Sequence, residues 1–353
     1  MKCTNFFIIL LLAIFITGCS NKNQDPNTLF LLEIEGNRKA ISASETINFT
    51  VKSKKGNSID TVMYTVNKEE AQINSALKGS FNFSDKKLGI KNITAKIVSD
   101  GATYSISKRI TVLAPQKPIL YDYRILETYP HDINAYTQGL EFVGDVLYES
   151  TGQYGASSLR KTNYKTGAVE KNIPLKSQYF GEGLTILKDK LYQLTWRKRV
   201  GFIYNLETLK KTGTFAYNQS KQGWGLCNDG TSLYKSDGTS KIWKLNGESL
   251  AEEDYREMYT NNSKIDSVNE LEWIDGAIYA NIYQKNAIAI INPNNGAIQG
   301  VINLKGLKKK VTQHAKLDVL NGIASKGEPN IIYVTGKNWD KLFKIEFFEK
   351  IKT

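Results

Sequence analysis

The stretch GLEFVGDVLYES, Gly139–Ser150, holds two apolar runs hinged on Gly144-Asp145, the second opening with Val146-Leu147-Tyr148. A Gly-Asp pair between such runs is a hairpin signal, because few residues tolerate the positive φ that turns a strand back on itself. Leu-Tyr or Ile-Tyr pairs recur with Tyr192, Tyr234, Tyr279 and Tyr333, at intervals of 44, 42, 45 and 54 residues. Four of the five follow a tight polar turn such as Asp275-Gly276, and the fifth follows the longer Gly327-Glu328-Pro329. Units of about 40–50 residues made of short strands are the signature of propeller blades.

Closure of such a ring can be tested by counting strands. The first unit offers four, near Leu140–Val143, Val146–Thr151, Leu159–Tyr164 and Val169–Leu175. The last offers three, near Gly322–Ala324, Ile331–Thr335 and Leu342–Phe347, and Tyr123–Tyr129, ahead of the first unit, would supply its outer strand. Upstream, Thr28–Leu113 shows alternating runs such as Val62-Met63-Tyr64-Thr65-Val66, separated by turns such as Asp100-Gly101. This pattern predicts an immunoglobulin-like β-sandwich over 28–113. Ala114-Pro115-Gln116-Lys117-Pro118 reads as a stiff linker, 114–119, leaving 120–349 for the propeller. The expected fold class is therefore all-β: a five-bladed β-propeller preceded by an immunoglobulin-like β-sandwich.

The repeat also locates a site. Seven residues before the first four pairs, and nine before the fifth, stand Leu140, Leu184, Leu226, Leu271 and Ile323. Two residues upstream of each lies the start of a blade's first strand, which lines the channel: Gln138, Glu182, Trp224, Asn269 and Asn321. The second strand returns antiparallel to the same rim, so four residues past each tyrosine lie Gly152, Trp196, Gly238, Tyr283 and Lys337. One carboxylate, three amides, one lysine and three large aromatics are thus expected around one mouth. Glu182, held between glycines in YFGEGLT behind Tyr179-Phe180, should be desolvated there and its pKa raised toward neutrality, with Lys337 opposing the shift.

The chain has 353 residues, with 47 Lys and Arg against 35 Asp and Glu. The lysines are scattered along the sequence, Lys308-Lys309-Lys310 being the densest cluster, so the charge reads as a solvated, mildly anion-seeking surface and not as a nucleic-acid stripe. Two histidines, with no HExxH and no CxxC, argue against a multi-histidine metal centre. There is no G-x-S-x-G elbow or P-loop lysine motif either. Residues 1–19, ending Ile16-Thr17-Gly18-Cys19, read as a signal peptide with a bacterial lipobox. Cys19 would be lipidated and 20–27 would form a tether, giving an exported protein anchored by lipid in the bacterial envelope. Cys227, then the one remaining thiol, reads as a small buried apolar residue. Ser236-Asp237-Gly238 reads as a solvated turn, with a structural calcium as the alternative.

Residues 120–348 resemble the plant-type glutaminyl-peptide cyclotransferases, five-bladed propellers that also occur in bacteria. The resemblance rests on YTQGLEF, ESTGQYGASSLRK, YFGEGLT, LTWRKRVGFIY, GWGL, SDGTS, NELEWIDGAIYANIY, VLNGIA and VTGKNW, in order and spread over every unit. It implies conversion of an N-terminal glutamine to pyroglutamate with release of ammonia, without a catalytic metal or other cofactor. The family's acid/base glutamate falls on Glu182, and its pocket on Gln138, Phe180, Trp196, Trp224, Asn269 and Lys337. Tyr136 stands where the family usually has phenylalanine and Tyr283 where it usually has tryptophan. Those hydroxyls are expected to alter affinity or the tolerated second residue. Lys337, Asn269 or Gln138 would steady the developing oxyanion, and Asn321 would complete the ring. The expected partners are peptides or proteins with N-terminal Gln and, through Cys19, a membrane; no nucleic acid is expected, and the protein is expected to be monomeric. The rival reading is a non-catalytic peptide- or glycan-binding surface lipoprotein on the same propeller.

Overall fold

The computed structural model describes residues 24–351, so the signal segment and Cys19 lie outside the described residues. The fold is all-β, with only a four-residue α-helix, Pro26–Leu29, and short 3-10 turns among the described residues. That helix is capped by Asp25, whose carboxylate accepts from the amide of Asn27, and it buries Leu29, so the end of the expected tether is already part of the folded body. Two sheets follow. One has four strands in the order Phe30–Ile34, Thr46–Ser53, Gly79–Asn82, Gln72–Ile73; the other has five, in the order Ala40–Ser42, Ala102–Leu113, Gly89–Ser99, Thr61–Val66, Glu69–Glu70. Alternate residues such as Ile47, Phe49 and Val51 point into one shared core with Tyr64, Ile93 and Ile97. The expected linker is docked at its first residue. Ala114 is buried in that core beside Tyr259 and Ala297, and its amide donates to the carbonyl of Thr260.

Downstream stand five groups of four strands. The first is Thr137–Val143, Val146–Thr151, Ser158–Asn163 and Ala168–Pro174, each antiparallel to the next. The groups opening with Gly181–Leu187, Leu226–Asn228 and Val268–Ile274 repeat the order. In the fifth, Leu320–Ala324, Ile331–Gly336 and Lys341–Glu349 take their outer neighbour from Ile119–Pro130, with Tyr123 opposite Phe347. Ile119–Tyr121 also runs parallel to Gly300–Ile302, welding the fourth and fifth groups into one eight-stranded sheet. The first strands touch one another in succession and the last touches the first, so they form a closed ring of inner strands.

Two devices hold that ring. Side chains reach from one inner strand to the next. Glu141 accepts from Oγ1 of Thr185 and the amide of Ile186, Glu270 from the amide of Ile323, and Glu272 from the amide of Ser325. Burial pushes the Glu141 carboxyl up to about 8 and those of Glu270 and Glu272 well above the usual carboxylate range. Glycine supplies the second device, because the inner strands converge too closely for a side chain. A Cβ on Gly225 would lie 2.1 Å from the carbonyl oxygen of Asn269. Gly225→Ala is therefore expected to cost about 1–3 kcal/mol and to lower the thermal midpoint. An unchanged midpoint would show that this contact is slack.

Candidate active site

The inner strands begin, and the second strands end, at one opening of the ring, and the main chain fixes that register. The amide of Gly152 donates to the carbonyl of Tyr136, Trp196 to Phe180, Tyr283 to Ser267 and Lys337 to Val319. These four bonds sit at equivalent positions, so the residues two places further along, Gln138, Glu182, Asn269 and Asn321, occur at one level. The third group departs from the pattern. There the amide of Trp224 donates to Ser236, and Nζ of Lys235 donates to the carbonyl of Gln222 instead.

At this level lies a cavity of about 260 Å³ lined by Tyr136, Gln138, Gln153, Phe180, Glu182, Trp196, Trp224, Asn269, Tyr283 and Lys337. Nine of the residues expected from the sequence are thus brought together. Asn321 is not on the wall but behind it. Its Oδ1 accepts from Nδ2 of Asn269 at 2.8 Å, while its Nδ2 donates to the carbonyl of Thr137 and to Oε1 of Gln138. This chain sets the amides: Gln138 is left with its NH2 as a donor, and Asn269 with its carbonyl oxygen as an acceptor and one N–H of its amide. The expected rim residues Gly152 and Gly238 make room for aromatics. A Cβ there would lie 2.3 Å from the Phe180 ring and 2.4 Å from the Trp224 ring respectively. Neither histidine reaches the cavity, since His131 is held between the carbonyl of Trp339 and Glu149, and His314 faces the carbonyl of Asn338. Asp237 closes its own turn, accepting from Thr239 and from Nε1 of Trp243.

Glu182 and Lys337 are each only 4% exposed. Among the described residues, neither side chain has a hydrogen-bonding or ion-pairing partner. Desolvation holds the Glu182 carboxyl well above its usual range, with Lys337 pulling it back. Burial lowers Lys337, against the fields of Glu182 and Asp318. Nζ of Lys337 lies 4.8 Å from the Tyr136 ring centre and 5.4 Å from that of Tyr283. The Tyr136 hydroxyl donates to Asp318 at 2.8 Å, so the protein itself engages it.

The walls are aromatic and cross-braced. Tyr136, Phe180 and Trp196 pack in sequence at 6.1 and 5.5 Å between ring centres, and Trp224 meets Tyr283 edge-on at 5.7 Å. Sequence counting missed two residues here. Gln153 follows an expected glycine and lies one position past the counted one. Gln222 accepts on Oε1 from Nε1 of both Trp196 and Trp224, at 2.7 and 2.9 Å, and so sets both indoles from outside the repeat pattern. Gln222→Leu is expected to free both rings and raise KM by roughly tenfold, about what one or two lost hydrogen bonds amount to, while leaving kcat within a few fold. Steady-state kinetics on a short peptide would check this, and an unchanged KM would show that packing alone orients the indoles.

Comparison with known proteins follows the same lines. A sequence model of the family described as glutamine cyclotransferase matches residues 96–347, beginning inside the strand Gly89–Ser99, so the match extends further upstream than residue 120. The chain is 38% identical over 251 residues to a glutaminyl-peptide cyclotransferase of Arabidopsis thaliana, covering 70% of this chain and 75% of that protein. The crystal structure of Myxococcus xanthus glutaminyl cyclase superposes with a TM-score of 0.62 at 30% identity, over 67% of this chain and all of that one. With the family match spanning most of its length, this chain belongs to the glutamine cyclotransferase family.

Proposed function

We propose that the protein is a glutaminyl-peptide cyclotransferase, converting an N-terminal glutamine to pyroglutamate with release of ammonia and without a catalytic metal. The observation that carries this reading is a buried carboxylate and a buried ammonium, neither satisfied by the protein, facing one aromatic-walled cavity that opens at the end of the ring. The reaction needs orientation and proton management rather than a nucleophile from the enzyme. The substrate's α-amine attacks its own side-chain amide carbon as Glu182 takes a proton from the nitrogen. The new N–C bond puts negative charge on the amide oxygen, toward which Lys337 and the NH2 of Gln138 would donate. Glu182 then returns the proton to the leaving nitrogen, the old C–N bond breaks, and ammonia departs. The Asn269 carbonyl oxygen is placed to accept from the substrate amine, and the aromatic walls exclude water from the reacting atoms.

The proposal extends to the scaffold. The closed ring of inner strands and the five four-strand groups support a five-bladed propeller over 120–349, and the two sheets sharing one core support an immunoglobulin-like sandwich over 28–113, joined through 114–119. Lipidation at Cys19 and an envelope location belong to the same reading, on the strength of the signal sequence. The test is ammonia release from a Gln-initiated dipeptide by the purified protein in excess EDTA. Sustained turnover is expected. A folded protein that releases none from any Gln-initiated peptide would overturn the reading in favour of a binding module, and turnover lost to EDTA would overturn the metal-free chemistry.

A further inference from the structure

A subset of the basic residues scattered along the sequence falls together on one face. Because inner strands start and second strands end at the cavity, the loops entering each inner strand and the loops leaving each second strand all surround its opening. Those loops carry Lys176, Arg197, Lys198, Lys221, Lys285 and Lys316, every one of them exposed. None joins an ion pair among the described residues, whereas Arg160 pairs with Asp132 and Lys264 with Glu257. The run Lys308–Lys310 lies on the same side, in the loop before Leu320–Ala324.

The carboxylates of these loops are fewer than the cations. Asp132 is neutralised by Arg160, while Asp318, Asp340 and Asp237 keep their charge and accept from neutral groups: the Tyr136 hydroxyl, Thr312, and Thr239 with Trp243 respectively. Asp266 alone stands exposed without such a partner. The loops on the opposite face mix the signs instead: Asp145 pairs with Lys326, and the same loops carry Asp189, Glu207 and Asp275 as well as Lys165, Lys188 and Lys210. Arg197 is also packed: its guanidinium lies 3.8 Å over the ring of Trp196, whose indole Nε1 donates to Gln222.

We propose that this face selects substrates, favouring peptides with acidic side chains in the residues that follow the N-terminal glutamine. The inference rests on the cyclotransferase reading. A cavity of about 260 Å³ takes one residue, so the rest of the peptide must leave across the opening. Extended chain advances about 3.3 Å per residue, so residues two to five run out over roughly 13 Å across the face that carries these cations, where charge acts over a Debye length of roughly 8 Å. Unpaired exposed cations around a concave mouth raise the local concentration of anionic substrate and its rate of encounter, an effect that salt weakens.

The experiment compares amidated Gln-Ala-Glu-Ala-Glu, Gln-Ala-Gln-Ala-Gln and Gln-Ala-Lys-Ala-Lys at low and high salt, for the wild type and for Lys198→Glu/Lys221→Glu/Lys316→Glu. At low salt kcat/KM is expected to be roughly tenfold higher for the acidic than for the neutral peptide and lowest for the lysine peptide. High salt should compress these ratios, and the charge-reversed variant should invert them. Equal kcat/KM for acidic and neutral peptides at low salt overturns the proposal. So does a variant that loses binding to phosphatidylglycerol vesicles yet keeps the wild-type peptide ratios, which would make this a membrane-facing patch. If no peptide is cyclised, the cyclotransferase reading falls on its own; tryptophan fluorescence titrations with the same peptides then decide the charge preference, tighter binding of the acidic one supporting it and equal affinities overturning it.

Discussion

Glu182→Gln is expected to lower kcat/KM by about 10²–10⁴-fold, the usual contribution of a positioned acid/base, while leaving the fold intact. Gln has nearly the same shape and carries no charge, and the cavity gives Glu182 no protein partner whose loss would disturb packing. The pH behaviour separates a catalytic role from a structural one. Desolvation raises the folded-state pKa above the unfolded value near 4.5. The stability this group contributes is therefore fully present below 4.5 and is lost as pH rises through the higher folded value. The wild type should accordingly become less stable relative to the variant as pH rises, and the gap in thermal midpoint should widen in the variant's favour. Activity should run the other way: the base works only when ionised, so the acid limb of kcat/KM lies well above the usual carboxylate range and has no counterpart in the variant. A variant within threefold of wild-type activity would remove Glu182 from the chemistry. Stabilisation by a Gln-initiated peptide, if kept by the inactive variant, would show that binding does not depend on the carboxylate.

Most of this site was legible in the sequence because a repeated strand fixes side-chain direction. Once Tyr148, Tyr192, Tyr234, Tyr279 and Tyr333 set the register, counting back to Gln138, Glu182 and Asn269 and forward to Trp196, Tyr283 and Lys337 was arithmetic on a period of two residues. The method failed where side chains act across the period. Asn321 was counted onto the wall, yet it serves from behind, because its amide is consumed in bridging Asn269 to Gln138. Gln222 lies in a loop outside the strand pattern, and its two indole bonds are contacts in space that spacing cannot express. The hydroxyl of Tyr136 had looked like a change on the substrate's side of the wall, but Asp318, 182 residues away, engages it. The buried position of Ala114 beside Tyr259 and Ala297 was hidden for the same reason, since a Pro-rich segment signals stiffness and not what it docks against. The basic face is the clearest case, because a subset of the charge that looks dispersed in one dimension falls together only when the ring closes.

Lys337→Met is expected to reduce kcat by about 10²–10³, the typical loss for one donor to a developing oxyanion, and to move the acid limb of the pH profile upward. Met refills much of the apolar stem between Tyr136 and Tyr283 without the charge, so the variant tests the ammonium and not the volume. The upward movement follows from the field. Lys337 is the positive charge that offsets the desolvation of Glu182, so without it the carboxyl holds its proton to still higher pH. The two effects need not travel together, and their separation is informative. If kcat falls while the limb stays in place, Lys337 acts on the oxyanion without influencing Glu182, and the two groups are electrically independent across the cavity. If the limb rises while kcat at its plateau is unchanged, Lys337 tunes the base, and stabilisation of the oxyanion falls to the NH2 of Gln138. If neither moves, the ammonium serves only to brace the Tyr136 and Tyr283 rings over which it lies, and the proposed division of labour in this cavity is wrong.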